Sequence, residues 1–143
     1  MKIYTMGYSG RSVVSILKFL EQVNGVAVDV RMVARSYVSS YSGSAFAKAL
    51  GPRYRHVQEF GNVNYKSGGP IKVLDLAAGA GKLVELLASG NSIVLMCACV
   101  QPDECHRTVV AEYLKNLWNC EVEHLTPPQK PTKNVAAPPP TLF

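Results

Sequence analysis

The chain has 143 residues, 48% of them hydrophobic and 17% charged, which suffices for one domain with a real core and is too short for two. That composition excludes a globally disordered chain. No apolar run reaches the roughly 18 residues of a membrane helix; residues 13–20 are interrupted by Ser15 and Lys18, and no signal-type cleavage region follows. A soluble, cytoplasmic protein without a membrane partner is expected. The net charge of +5 comes from 15 basic and 10 acidic residues. Residues 31–72 hold Arg31, Arg35, Lys48, Arg53, Arg55, Lys66 and Lys72 against Glu59 alone, so the partner classes are an anionic small molecule or a nucleic acid.

In chain order, residues 2–8 alternate as a short strand. Ser12 is placed to cap a helix whose Val13, Ile16, Leu17 and Leu20 fall at helical spacing, and Asn24-Gly25 ends it. Residues 26–30 form an apolar run typical of a strand buried on both faces. A polar loop over 37–44, a short helix over 45–50 closed by Gly51-Pro52, a strand over 54–57 and a loop over 61–70 follow. Residues 92–97, 103–118 and 120–125 read as strand, helix and strand. This alternation predicts an α/β domain over 1–125, with a Rossmann-like parallel sheet of about five strands and helices on both faces. Residues 126–143 hold six of the nine prolines and are expected to be an extended or disordered tail. A scaffolding role for that tail ranks low.

Residues 71–88 have two readings. Residues 73–81, ending Ala77-Ala-Gly-Ala-Gly81, look like the glycine motif of S-adenosylmethionine-dependent methyltransferases. That motif follows the first strand of its fold with most of the sheet after it, whereas here only 62 residues follow Gly81, the last 18 of them proline-rich, and no acidic residue ends 92–97 to meet a ribose. Val73, Leu76, Ala77, Ala80, Leu83, Val84 and Leu87 trace one helical face. A single helix over 71–88 is therefore predicted, and a methyltransferase-like function is disfavoured.

In open α/β sheets the ligand lies beyond the carboxyl ends of the strands. Those ends carry Ser9 and Arg11 after the first strand, Asp29, Arg31 and Arg35 after the second, and His56 after the third. The fourth brings Cys97 and, past its loop, Cys105, His106 and Arg107. Asp29 and Arg31 share a strand face, which suits a mutual ion pair as well as a ligand. Cys97 ends a buried strand and could be simple packing. Cys105 sits in the first turns of a helix, where the dipole favours a thiolate, although Asp103 and Glu104 oppose it. Cys97, Cys99, Cys105 and His106 have zinc-ligand chemistry but lack a Cys-x-x-Cys pair, so no metal is expected. No cofactor is assigned.

The blocks Tyr4-Thr-Met-Gly-Tyr-Ser-Gly-Arg11, Asp29-Val-Arg31 with Arg35-Ser36, Tyr54-x-His56, Met96-Cys97 and Cys105-His-Arg107 resemble the domain-of-unknown-function 488 family over about residues 2–125. The resemblance implies a Rossmann-like fold of a prokaryotic protein, a helix in 71–88, and no particular reaction. It departs at Ala34, Tyr37, Cys99 and around Gly61. The function expected is a small enzyme or ligand-binding domain for an anionic, phosphate-bearing molecule. Cys97 or Cys105 would be the thiol, His106 the acid/base group, and Ser9, Arg11, Asp29, Arg31, Arg35, His56 and Arg107 the ligand-binding residues. The alternative is a nucleic-acid-associated module using residues 31–72.

Overall fold

A computed structural model describes residues 2–98 and 105–125. Cys99, Asp103, Glu104 and the proline-rich tail over 126–143 lie outside the described residues. The chain runs β1 (Lys2–Gly7), α1 (Val13–Val23), β2 (Gly25–Asp29), α2 (Gly43–Leu50), β3 (Tyr54–His56), α3 (Leu76–Lys82), α4 (Val84–Ala88), β4 (Ser92–Cys97), α5 (His106–Trp118) and β5 (Glu121–His124). The strands form one sheet in the order β3-β2-β4-β1-β5, with every neighbouring pair parallel. The fold is thus an α/β Rossmann-like sheet, as the alternation predicted. No helix among the described residues is long and apolar enough to cross a membrane.

Period-two alternation divides the strand side chains between two cores. Val26, Val28, Ile93, Leu95 and Cys97 pack with Leu83, Leu86, Val110 and Leu114 of the α3–α5 face. Met6, Ala27, Val94 and Met96 pack with Ile16, Leu20, Phe46 and Leu50 of the α1–α2 face. The near-continuous apolar runs of β2 and β4 follow from this burial on both sides.

The helix ends obey local chemistry. Ser12 Oγ accepts from the Ser15 amide at 3.1 Å, and Asn24 closes α1 in the left-handed region at φ 50°. Two residues earlier than expected, α2 begins with Ser42 Oγ accepting from the Ala45 amide at 3.2 Å.

Residues 71–88 are not one helix. Val73 makes an antiparallel bridge to Asn62, and the Leu74 amide donates to Gly61 O at 3.0 Å. Asp75 then caps α3 through Oδ1, accepting from the Ala78 amide at 3.0 Å. The helical run breaks again at Leu83, which is buried. An Asp side chain that takes over a free amide at a helix start competes with extending the helix backwards. Gly79 and Gly81 further weaken the helix, each by about 1 kcal/mol relative to Ala. Gly79 is nevertheless required, because a Cβ there would lie 2.4 Å from Cε1 of buried Phe60. Since residues 76–82 are helical, the glycine segment lacks the strand-into-loop geometry of a methyltransferase.

Candidate active site

The connections leaving β1 and β2 run over the α1–α2 face, whereas the one leaving β4 runs over the α5 face. Loops that part in opposite directions open a crevice at the carboxyl ends of the strands between them. A cavity of about 690 Å³ lies there, and Tyr8, Arg31, Arg35, Cys97 and His106 are in its lining. Ser9 Oγ donates to Ala98 O at 2.8 Å, tying the ends of β1 and β4 together.

Under the cavity, Asp29 and Arg31 form a buried two-point pair. Arg31 Nε donates to Asp29 Oδ1 at 2.8 Å and Nη2 donates to Oδ2 at 2.6 Å. Tyr54 Oη donates to the same Oδ2 at 2.6 Å. Arg31 Nη1 reaches the Tyr8 hydroxyl at 3.1 Å, Arg35 O at 3.1 Å and Tyr41 O at 2.8 Å. Burial pushes the Arg31 pKa down, but the hydrogen bond and charge of Asp29 more than offset this and leave it raised. Burial, followed by the Asp29 charge, raises Tyr54. Burial also raises Tyr8, against the opposing effect of Arg31. The guanidinium further lies 5.1 Å from the Tyr8 ring centroid. Arg31 is therefore engaged in holding residues 29–41 in place, although one edge of it faces the cavity.

Beside Cys97, which lines the cavity, Arg107 is fully buried and its Nη1 donates to Cys97 Sγ at 3.1 Å. The alternation of β4 directs Cys97 to the α5 face, where the first turn of α5 supplies this arginine. The Cys97 and Cys105 sulfurs are in contact as a disulfide-type pair, with Cα atoms 7.9 Å apart. Bridged, neither sulfur is a nucleophile; reduced, they are adjacent thiols. Cys105 also caps α5, its Sγ accepting from the Arg107 amide at 3.5 Å.

His106 Nε2 lies 2.6 Å from Val30 O. A carbonyl needs a donor, so that nitrogen carries the proton and Nδ1 keeps its lone pair in the neutral ring. Nδ1 faces Cys105 Sγ at 3.9 Å. Burial lowers the His106 pKa despite the Val30 hydrogen bond, which favours the neutral ring whose Nδ1 holds a lone pair.

The other expected site residues are placed differently. Arg11 Nε donates to Gly7 O at 3.0 Å, and its carbonyl accepts from Tyr41 Oη at 2.6 Å; burial lowers its pKa. His56 is exposed at the sheet edge, with Nε2 donating to Arg31 O at 2.7 Å. Neither lines the cavity. Among the described residues no cluster of three or more His, Cys, Asp or Glu could hold a metal.

Sequence reasoning missed Tyr54 as the second partner of Asp29. The signal was available in register, since Tyr54 pairs with Ala27 and so lies on the same strand face as Asp29. It also missed Asn62, Tyr65 and Lys66 as cavity lining. They come from a loop without periodicity, and only the tertiary path of that loop brings them to the sheet edge.

No curated protein and no solved structure matches the chain. Residues 72–117 match the family model DUF488-N3a, described as the active DUF488-N3 subclade. The matched stretch runs through α3, α4, β4 and most of α5, and so includes Cys97, Cys105, His106 and Arg107. Over this stretch the chain is similar to the DUF488 family, in agreement with its sequence blocks.

Proposed function

We propose that the protein binds and acts on a small anionic, phosphate-bearing molecule in the cavity at the carboxyl edge of the sheet. In this reading reduced Cys97 is the thiol nucleophile. The observation that supports it is the 3.1 Å contact between the fully buried Arg107 guanidinium and Cys97 Sγ. A desolvated cation at that distance stabilises a thiolate, and the thiolate is the reactive form. Cys97 lines the cavity whereas Cys105 does not, which favours Cys97 of the two candidates. His106 Nδ1 is the proton acceptor for the thiol pair, and Arg35 and Lys66 are the cations that meet the anion.

Two measurements test this on the reduced full chain. Iodoacetamide labelling at pH 7, read by peptide mass spectrometry, should modify Cys97 faster than Cys120, whose pKa burial raises. Equal or slower labelling of Cys97 sinks the nucleophile. Phosphate or sulfate at about 100 times its dissociation constant should stabilise the fold by roughly 2.7 kcal/mol, and Arg35→Ala should remove most of that. Absence of any stabilisation sinks the anion site.

A further inference from the structure

Two features of the cavity mouth say what kind of anion it would take, and only the second, its charge, belongs to the anion reading above. The first is aromatic. Tyr37 and Tyr65 are the aromatic members among the exposed large hydrophobic side chains, Tyr37 being fully exposed and Tyr65 48% exposed. Both border this one cavity. A single exposed tyrosine is unremarked on a protein surface, but two at one opening form a platform for a planar ring. The second is charge. Among the described residues no Asp or Glu lines this cavity, while Arg35 and Lys66 do. In contrast, the cavity at Arg55 and Lys82 is self-compensated, through Arg55–Glu85 at 2.9 Å and Lys82–Glu59 at 2.7 Å.

The two features adjoin each other. Lys66 Nζ lies 5.8 Å from the Tyr65 ring centroid, and Arg35 precedes Tyr37 by two residues. A ligand seated there meets flat apolar surface and positive charge within one small volume. The volume of about 690 Å³ is that of a small-molecule site, within the usual 300–1,000 Å³. A strand of nucleic acid calls instead for an extended groove with repeated stacking positions.

Resting on the anion-site reading above, we propose that the ligand is a mononucleotide. Its base stacks against Tyr37 and Tyr65 at the mouth, and its phosphate is held by Arg35 and Lys66.

Calorimetric titration of the reduced full chain tests this, using inorganic phosphate, ribose 5-phosphate, adenosine, adenosine 5′-monophosphate, uridine 5′-monophosphate and a single-stranded tetranucleotide. The mononucleotides should bind at least about tenfold tighter than ribose 5-phosphate, as base stacking predicts. Tyr37→Ala and Tyr65→Ala should each narrow that gap while leaving the weaker phosphate binding unchanged. Ribose 5-phosphate binding as tightly as the nucleotides, or tyrosine variants that bind nucleotides undiminished, overturns the stacking while the anion site stands. Adenosine binding as tightly as its monophosphate overturns the anion site and the mononucleotide with it. No binding of any ligand overturns both, and a clear preference for the tetranucleotide replaces the mononucleotide with single-stranded nucleic acid.

Discussion

Asp29→Asn isolates the cost of the buried pair beneath the cavity. The carboxylate is fully buried, and the Arg31 side chain is 9% exposed. Asparagine keeps the shape but removes the charge, so the guanidinium is left in the interior with only neutral acceptors. Breaking one side of a buried pair costs about 3–5 kcal/mol, a large part of the 5–15 kcal/mol typical of a domain. Tyr54→Phe removes only the tyrosine's hydrogen bond to Asp29, at 2.6 Å, and should cost about 1.5–3 kcal/mol because the acceptor is charged. In the Asp29→Asn background the Tyr54 hydroxyl has no carboxylate left to lose, so in the double variant the two costs should fall short of additivity by at least about 0.5 kcal/mol. Urea unfolding followed through the single tryptophan, Trp118, measures all three at constant m. If Asp29→Asn costs less than Tyr54→Phe, Arg31 does not depend on this carboxylate, and if the two costs add, Tyr54 is not coupled to it; either result refutes the argument. Should Asp29→Asn fail to fold, Tyr54→Phe still tests the tyrosine's bond to the carboxylate.

Gly79→Ala should destabilise the fold despite the better helix propensity of alanine. The new Cβ would meet buried Phe60 at 2.4 Å, and overpacking of about 1–3 kcal/mol outweighs the roughly 1 kcal/mol gained from propensity; a raised melting temperature would refute the clash. His106 has its folded pKa below the usual 6.5 because of burial, so the unfolded chain binds more protons in that window. Its contribution to stability is full above about pH 6.5 and declines as pH falls towards the folded value. His106→Gln, whose amide can still donate to Val30 O, should flatten that decline between pH 7.5 and 5 in urea titrations. An unchanged pH slope would show that His106 does not titrate differently in the two states.

The fold was legible because its signals are local. The apolar runs of β2 and β4 and the caps at Ser12 and Asn24 each act within a few residues. The strand ends placed Cys97, His106 and Arg107 at one rim because topology alone determines which ends share an edge. Residues 71–88 were harder: a helical face was present, but the competing Asp75 cap and the bridge between Asn62 and Val73 depend on a distant loop. The pairing of Asp29 with Arg31 could be suspected from their spacing. Its depth could not, since that depends on how the aromatic rings of Tyr8, Tyr41, Phe46 and Tyr54 assemble from four separate segments.

The sheet order has a consequence for how the molecule comes together. β4 sits between β2 and β1, so the first two strands of the chain have no hydrogen-bonded contact with each other. During synthesis β2 can pair only with β3, and β1 must wait for β4, some ninety residues behind it, before it gains its inner neighbour. Such distant pairing slows folding, because the chain closes a long loop before the contact rewards it. The strand that joins the two halves ends in Cys97, and thus the step that unites the inner strands also builds the cavity wall.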